Sequence, residues 1–240
     1  MTAYTRRDLT ILQMGDNTLV IACDTCGAVG AKDGDILKLS PWYVGKFAAR
    51  VALMEVMCAG ATPSVIVNGI ACEMNPTGAD VILGIQDELT NAGVLDIVLT
   101  GSTEENFATC MTALAVTVIG TAPIDGLKFK PAIKGDKFML LGRPRVGAEV
   151  DLESKGLYAE LRRLLAMHEI KEIVPVGSKG IAHEVEAIAT LNSATHTLYN
   201  TGIDYGKSAG PATCMVVLCG EIAVAKILDF CPVALCIGEI

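Results

Sequence analysis

Strand-like and helix-like runs alternate along this chain, and the alternation lapses across residues 121–136, where Pro123, Gly126, Pro131 and Gly135 cluster. Before that lapse, residues 19–23, 64–70, 95–100 and 112–120 read as buried strands. Residues 41–59 carry the helical period, with Pro41 in the first turn and Ser40 as N-cap, and residues 76–92 form a second helix ended by Gly93. After it, strands are expected over 137–141, 213–218 and 233–237, and helices over 157–168, 181–191 and 221–230. The pattern predicts an α/β (α+β) protein of two domains, residues 1–122 and 123–240. The endings VTVIG and VALCIG hint at related halves, although five residues prove no repeat.

Hydrophobic residues make up 51% of the 240, so most elements are expected to be covered on both sides. The net charge of -8, from 19 Lys and Arg against 27 Asp and Glu, and the lack of a basic run disfavour nucleic-acid binding. Nine cysteines lie among apolar or small residues, and the first residues lack a signal-peptide pattern, which predicts a reducing cytoplasm. The longest uncharged stretch, residues 106–124, is interrupted by Asn106, threonines and Pro123, so no membrane span is expected.

Two segments carry chemistry: LVIACDTCGAVG at 19–30 and EVMCAGATPSVIVN at 55–68. Each joins an apolar run to one acidic residue and a small-residue turn, an arrangement that brings a carboxylate and free N–H groups up to a metal-bound phosphate. No GxxxxGK[ST] and no kinase HRD or DFG element occurs, so any ATP chemistry uses another cradle. Cys23 and Cys26 form a CxxC without a second pair or a nearby His. Packing is therefore the expected use, with Cys23 buried and Cys26 partly exposed. Asp24 reads equally as a cleft carboxylate or as an aspartate satisfying turn amides. Glu55, among Leu53, Met54, Val56 and Met57, needs a metal or a partner; Arg50 and Lys46 are the nearby cations.

Ala22-Cys23-Asp24-Thr25-Cys26-Gly27, Glu55 followed by Gly60-Ala61-Thr62-Pro63, and Thr100-Gly101-Ser102-Thr103-Glu104-Glu105-Asn106 resemble motifs of one family. It is the ATP-binding superfamily of aminoimidazole ribonucleotide synthetase, selenophosphate synthetase and thiamine monophosphate kinase. Leu141 to Gly147, Val176 to Ala182 and Cys231 to Glu239 resemble its second half. Thr103 departs from the pattern, standing where the family usually has a metal-binding carboxylate.

The resemblance implies a two-domain fold whose N-terminal halves pair into a shared β-barrel in a homodimer. It implies ATP and Mg²⁺ as cofactors, with Asp24, Glu55 and Glu104 or Glu105 as metal ligands. Gly27, Gly30, Lys32, Arg50, Gly101, Ser102 and Thr103 would hold nucleotide; Arg143 and Lys179 are further candidate cations. His183 is the candidate base, though a lone His is more often structural. The GSTEEN segment and the late KSAGPAT resemble α-ribazole kinase, which implies phosphorylation of the 5′-hydroxyl of a small nucleoside. A ring-closing synthetase, a thiamine monophosphate kinase-like enzyme and a non-catalytic nucleotide-binding module are the alternatives.

Overall fold

The structure is a computed structural model that describes residues 2–240. Its elements are β1 (Thr2–Arg6), β2 (Leu9–Met14), β3 (Asn17–Gly27), β4 (Val29–Gly30), β5 (Leu37–Lys38), α1 (Pro41–Cys58), β6 (Thr62–Ile70), α2 (Ala79–Asn91), β7 (Val98–Thr103) and β8 (Ala113–Pro123). They continue with β9 (Lys137–Gly142), α3 (Tyr158–Ala166), β10 (Ile170–Pro175), α4 (Gly180–Leu191), β11 (Thr197–Leu198), β12 (Cys214–Cys219), α5 (Glu221–Phe230) and β13 (Leu235–Glu239). Among the described residues no helix is long and apolar enough to cross a membrane.

The chain divides into two compact units. The first holds Met1–Met57, Ala61–Ile124 and Asp151–Gly156; the second holds the rest. In the first unit a six-stranded sheet runs β1-β2-β3-β8-β6-β7. Every pairing is antiparallel except β6 with β7, which are joined through α2 as a βαβ crossover. One face is dry: Val20, Ala22, Ile66, Val116 and Val118 are buried together with Ala49, Leu53 and Val56 of α1. The other face, which carries Leu19, Ile21 and Ile119, is only half-buried.

The expected shared β-barrel is overturned by this topology. The six-stranded sheet is open, with β1 and β7 as its two ends, and the five-stranded sheet of the second unit is open as well. The β1–β2 hairpin lengthens the sheet on the side away from β7 rather than curling it shut. The α/β class itself holds.

The second unit is built on the order β10-β12-β9-β13-β11, antiparallel throughout. Phe138, Leu140, Val216 and Leu218 share a core with Ile181, Val185 and Ile188 of α4. The intervening residues Met139, Leu141, Met215 and Val217 are equally dry, so this sheet is covered on both faces, as its apolar composition requires.

Candidate functional site

β3 runs to Gly27, four residues beyond the expected strand end, because Cys26 and Gly27 stay in register with Leu114 and Ala113 of β8. Gly27 is exposed at the end of the strand, and its amide lies on the side of β3 away from β8, because the next pair, with Ala28 N donating to Thr112 O at 2.9 Å, is the hydrogen-bonded one. Asp24 lies on the same face of β3 as Val20 and Ala22, toward the helices. Burial pushes its carboxyl up to about 6, with the Thr25 backbone hydrogen bond working in the other direction.

Of the two cysteines on this strand, Cys23 departs from expectation and Cys26 does not. Three residues apart on one strand, Cys23 and Cys26 point to opposite faces, so they can form neither a chelate nor a disulfide with each other. Cys23 is exposed rather than buried, whereas Cys26 is half-buried beside Asp24. Burial, then the charges of Asp24 and Asp35, push the Cys26 thiol up to about 11, which leaves it an unreactive thiol.

Gly30 serves close packing. A Cβ there would stand 2.2 Å from Thr112 Oγ1 and 2.6 Å from Asp35 Oδ2. Asp35 accepts from Thr112 N at 2.7 Å, Thr112 Oγ1 at 2.8 Å and Lys32 N at 2.8 Å. Burial opposes its charge, but these bonds outweigh it and hold its pKa below the ordinary value.

Lys32 Nζ donates to Glu73 Oε2 at 2.6 Å, and Thr77 Oγ1 donates to Glu73 Oε1 at 2.5 Å. The bonds from Lys32 and Thr77 take the Glu73 carboxyl down to about 2, and the Lys32 ammonium is raised in return. Glu73 precedes the single turn of wide helix Met74–Gly78. On the other side of that turn, Glu105 Oε1 accepts from Met74 N at 2.8 Å and from Thr103 Oγ1 at 2.7 Å. Residues 72–78 thus join the Lys32 cluster to the end of β7.

An open cleft of about 550 Å³ lies along β7, lined by Asn68, Met74, Ile82, Leu99 and the run Thr100 to Thr103, with Glu105 at its margin. Gly101 forms its floor by having no side chain: a Cβ would meet Asn68 O at 2.2 Å and Asn68 Oδ1 at 2.4 Å. Gly101, Ser102 and Thr103 are therefore brought together in one site.

Other expected residues are engaged elsewhere. Glu55 is held by Arg7 Nη2 at 2.9 Å, a partner from the β1–β2 turn rather than Arg50 or Lys46. Arg50 is buried against Glu88, with Nε to Oε1 at 2.6 Å and Nη2 to Oε2 at 3.0 Å, and it donates to Ser154 O at 2.7 Å. That fixes it as a structural cation. Glu104 accepts from Asn106 N at 2.7 Å and Phe107 N at 3.2 Å, closing its own turn. In the second unit, His183 is exposed on α4, and no hydrogen bond among the described residues orients it as a base. Arg143 donates to the carbonyls of Gly142 and Val233.

Among the described residues no group of three or more His, Cys, Asp or Glu side chains is arranged to hold a metal ion. Asp24, Glu55, Glu104 and Glu105 do not fit a Mg²⁺ cage, because three of the four already serve Arg7, backbone amides or Thr103. Sequence reasoning missed Asn68, Glu73, Asp35 and Thr112. Glu73, an acidic residue just before the Asn75-Pro76 turn, is the one a local signal could have found.

Residues 6–122 match the family described as AIR synthase related protein, N-terminal domain. No curated protein matches the chain. Among solved structures, Thermotoga maritima PurL complexed with ADP aligns with a TM-score of 0.72 and 14% identity, covering 99% of this chain and 42% of PurL. A chain of a HypE-HypF complex aligns at 0.70 and 16%, covering 95% of this chain and 86% of that one. Escherichia coli HypE, a hydrogenase maturation protein, aligns at 0.67 and 16%, with 91% and 78% covered. The chain thus spans about two-fifths of PurL and most of HypE. The chain has the fold seen in these PurL and HypE structures, and its residues 6–122 match the N-terminal domain of the AIR synthase related family.

Proposed function

We propose that this chain is an ATP-utilising enzyme of that family, acting on a small molecule. The observation that carries the reading is the family match over residues 6–122, which contain both the Asp24 strand and the β7 cleft. The solved PurL complexes with ADP, ATP and AMPPCP support nucleotide binding by this fold. Within the proposal Asp24 is the reactive carboxylate. Its raised pKa puts it near the working pH of a general base that takes a proton from a hydroxyl nucleophile.

The narrower reading is a kinase for the 5′-hydroxyl of α-ribazole, which rests on the motif resemblance. A ring-closing synthetase or a thiamine monophosphate kinase-like activity shares the same fold and nucleotide. Incubation with ATP, Mg²⁺ and a panel of nucleosides that includes α-ribazole, thiamine monophosphate and an amide-bearing ribotide should yield ADP and one new product by mass. ATP binding by calorimetry with no ADP from any acceptor would leave the non-catalytic nucleotide-binding module as the better reading, and no ATP binding at all would remove both.

Self-association belongs to the proposal too. Leu12, Leu19, Ile21, Val65, Val67 and Ile119 are each half-buried on the face of the first unit's sheet that carries no helix. A continuous apolar face of this kind favours burial against a second copy. Sedimentation should give a dimer mass at micromolar concentration, and a concentration-independent monomer would remove this part.

A further inference from the structure

The β7 cleft offers hydrogen-bond acceptors with almost no positive charge. Both bonds made by Glu105 fall on Oε1, and among the described residues Oε2 has no protein partner. The Thr103 hydroxyl spends its proton on Glu105 and so turns only lone pairs outward. Asn68 is buried and donates its amide N–H to Thr100 O at 3.1 Å, which leaves Oδ1 beside the side-chain-free Gly101 floor. No Lys, Arg or His lines the cleft, and the neighbouring Lys32 is tied to Glu73. Met74, Ile82 and Leu99 supply an apolar wall.

A ligand that suits this lining brings donors and an apolar plane and carries no negative charge. The dianionic phosphate group of a phosphomonoester brings only acceptors and would meet the Glu105 carboxylate with no Lys, Arg or His in the lining to offset the charge. We infer that the β7 cleft binds an unphosphorylated, hydroxyl-bearing aromatic compound, a nucleoside in class, and that Glu105 rejects its phosphorylated form. The cleft volume is in the range of small-molecule sites. This inference rests on the reading of the chain as a small-molecule enzyme and assigns Gly101, Ser102 and Thr103 to the acceptor instead of the nucleotide.

The test is equilibrium binding to the full chain without ATP and with EDTA present, which removes any metal bridge. The probes are benzimidazole riboside and uridine, each set against its own 5′-monophosphate. At least one riboside should bind about tenfold or more tightly than its monophosphate, and Glu105→Gln should shrink that preference to roughly threefold or less. Ile82→Trp, which fills the cleft from half-exposed α2 surface, should abolish riboside binding without unfolding the chain. Equal or tighter monophosphate binding overturns the inference. So does an undiminished preference in folded Glu105→Gln, binding that survives Ile82→Trp, or no riboside binding at all. Riboside binding without ATP turnover would sink the enzyme reading alone, and ATP turnover without riboside binding would sink this one.

Discussion

Arg50→Ala should destabilise the first unit by about 3–5 kcal/mol, because it leaves Glu88 as an uncompensated charge in a fully dry site. The guanidinium holds Glu88 through two bonds and fastens the Asp151–Gly156 segment through Ser154 O, so packing and charge fail together. Thermal unfolding should fall by about 10 °C or more. The double variant Arg50→Met, Glu88→Met should recover most of that loss, since a buried ion pair is often replaceable by apolar side chains of similar volume. An Arg50→Ala protein with unchanged melting, or a double variant no better than the single one, would show that the pair is not what holds these elements.

Asp24→Asn should make the protein more stable near neutral pH and nearly inactive. With its carboxyl raised to about 6, the folded chain keeps a proton between pH 4 and 6 that the unfolded chain releases. Stability contributed by this group is therefore complete below the ordinary carboxylate pKa and is lost as pH rises through about 6. Allowing for solvent screening of a half-buried group, the loss is about 1–2 kcal/mol, and Asn should recover it at pH 7.5. Activity carries the opposite sign. The base must be ionised, so kcat/KM should rise through pH 6 in the native protein, and the variant should lose at least about a hundredfold, roughly 2.7 kcal/mol. Such a stabilising yet inactivating change is what a strained functional carboxylate predicts. Near-normal turnover by a folded Asp24→Asn protein would take Asp24 out of the site.

The elements with a strong period of their own were legible in the chain. α1 follows from its apolar spacing and Pro41, α5 occupies the expected residues 221–230, and β8 follows from its β-rich run. β1 was missed because it is exposed along most of its length and shows no alternation to read. β10 was missed because Lys171 and Glu172 interrupt its apolar run, although Glu172 is buried in the folded chain.

At the site, the sequence by itself determined which residue types stand near one another on the chain: Asp24 on an apolar strand, Glu55 on an apolar helix, and Gly101 to Glu105 as one run. Tertiary structure decided what each is free to do. Arg7 reaches Glu55, Glu73 reaches Lys32 and Glu88 reaches Arg50 across 48, 41 and 38 residues of chain, distances over which local periodicity carries no information. The same holds for β3, whose extra residues Asp24 to Gly27 pair with β8 far along the chain. Periodicity is set by neighbours along the backbone, whereas the availability of a charge or an amide is set by whatever the fold places against it.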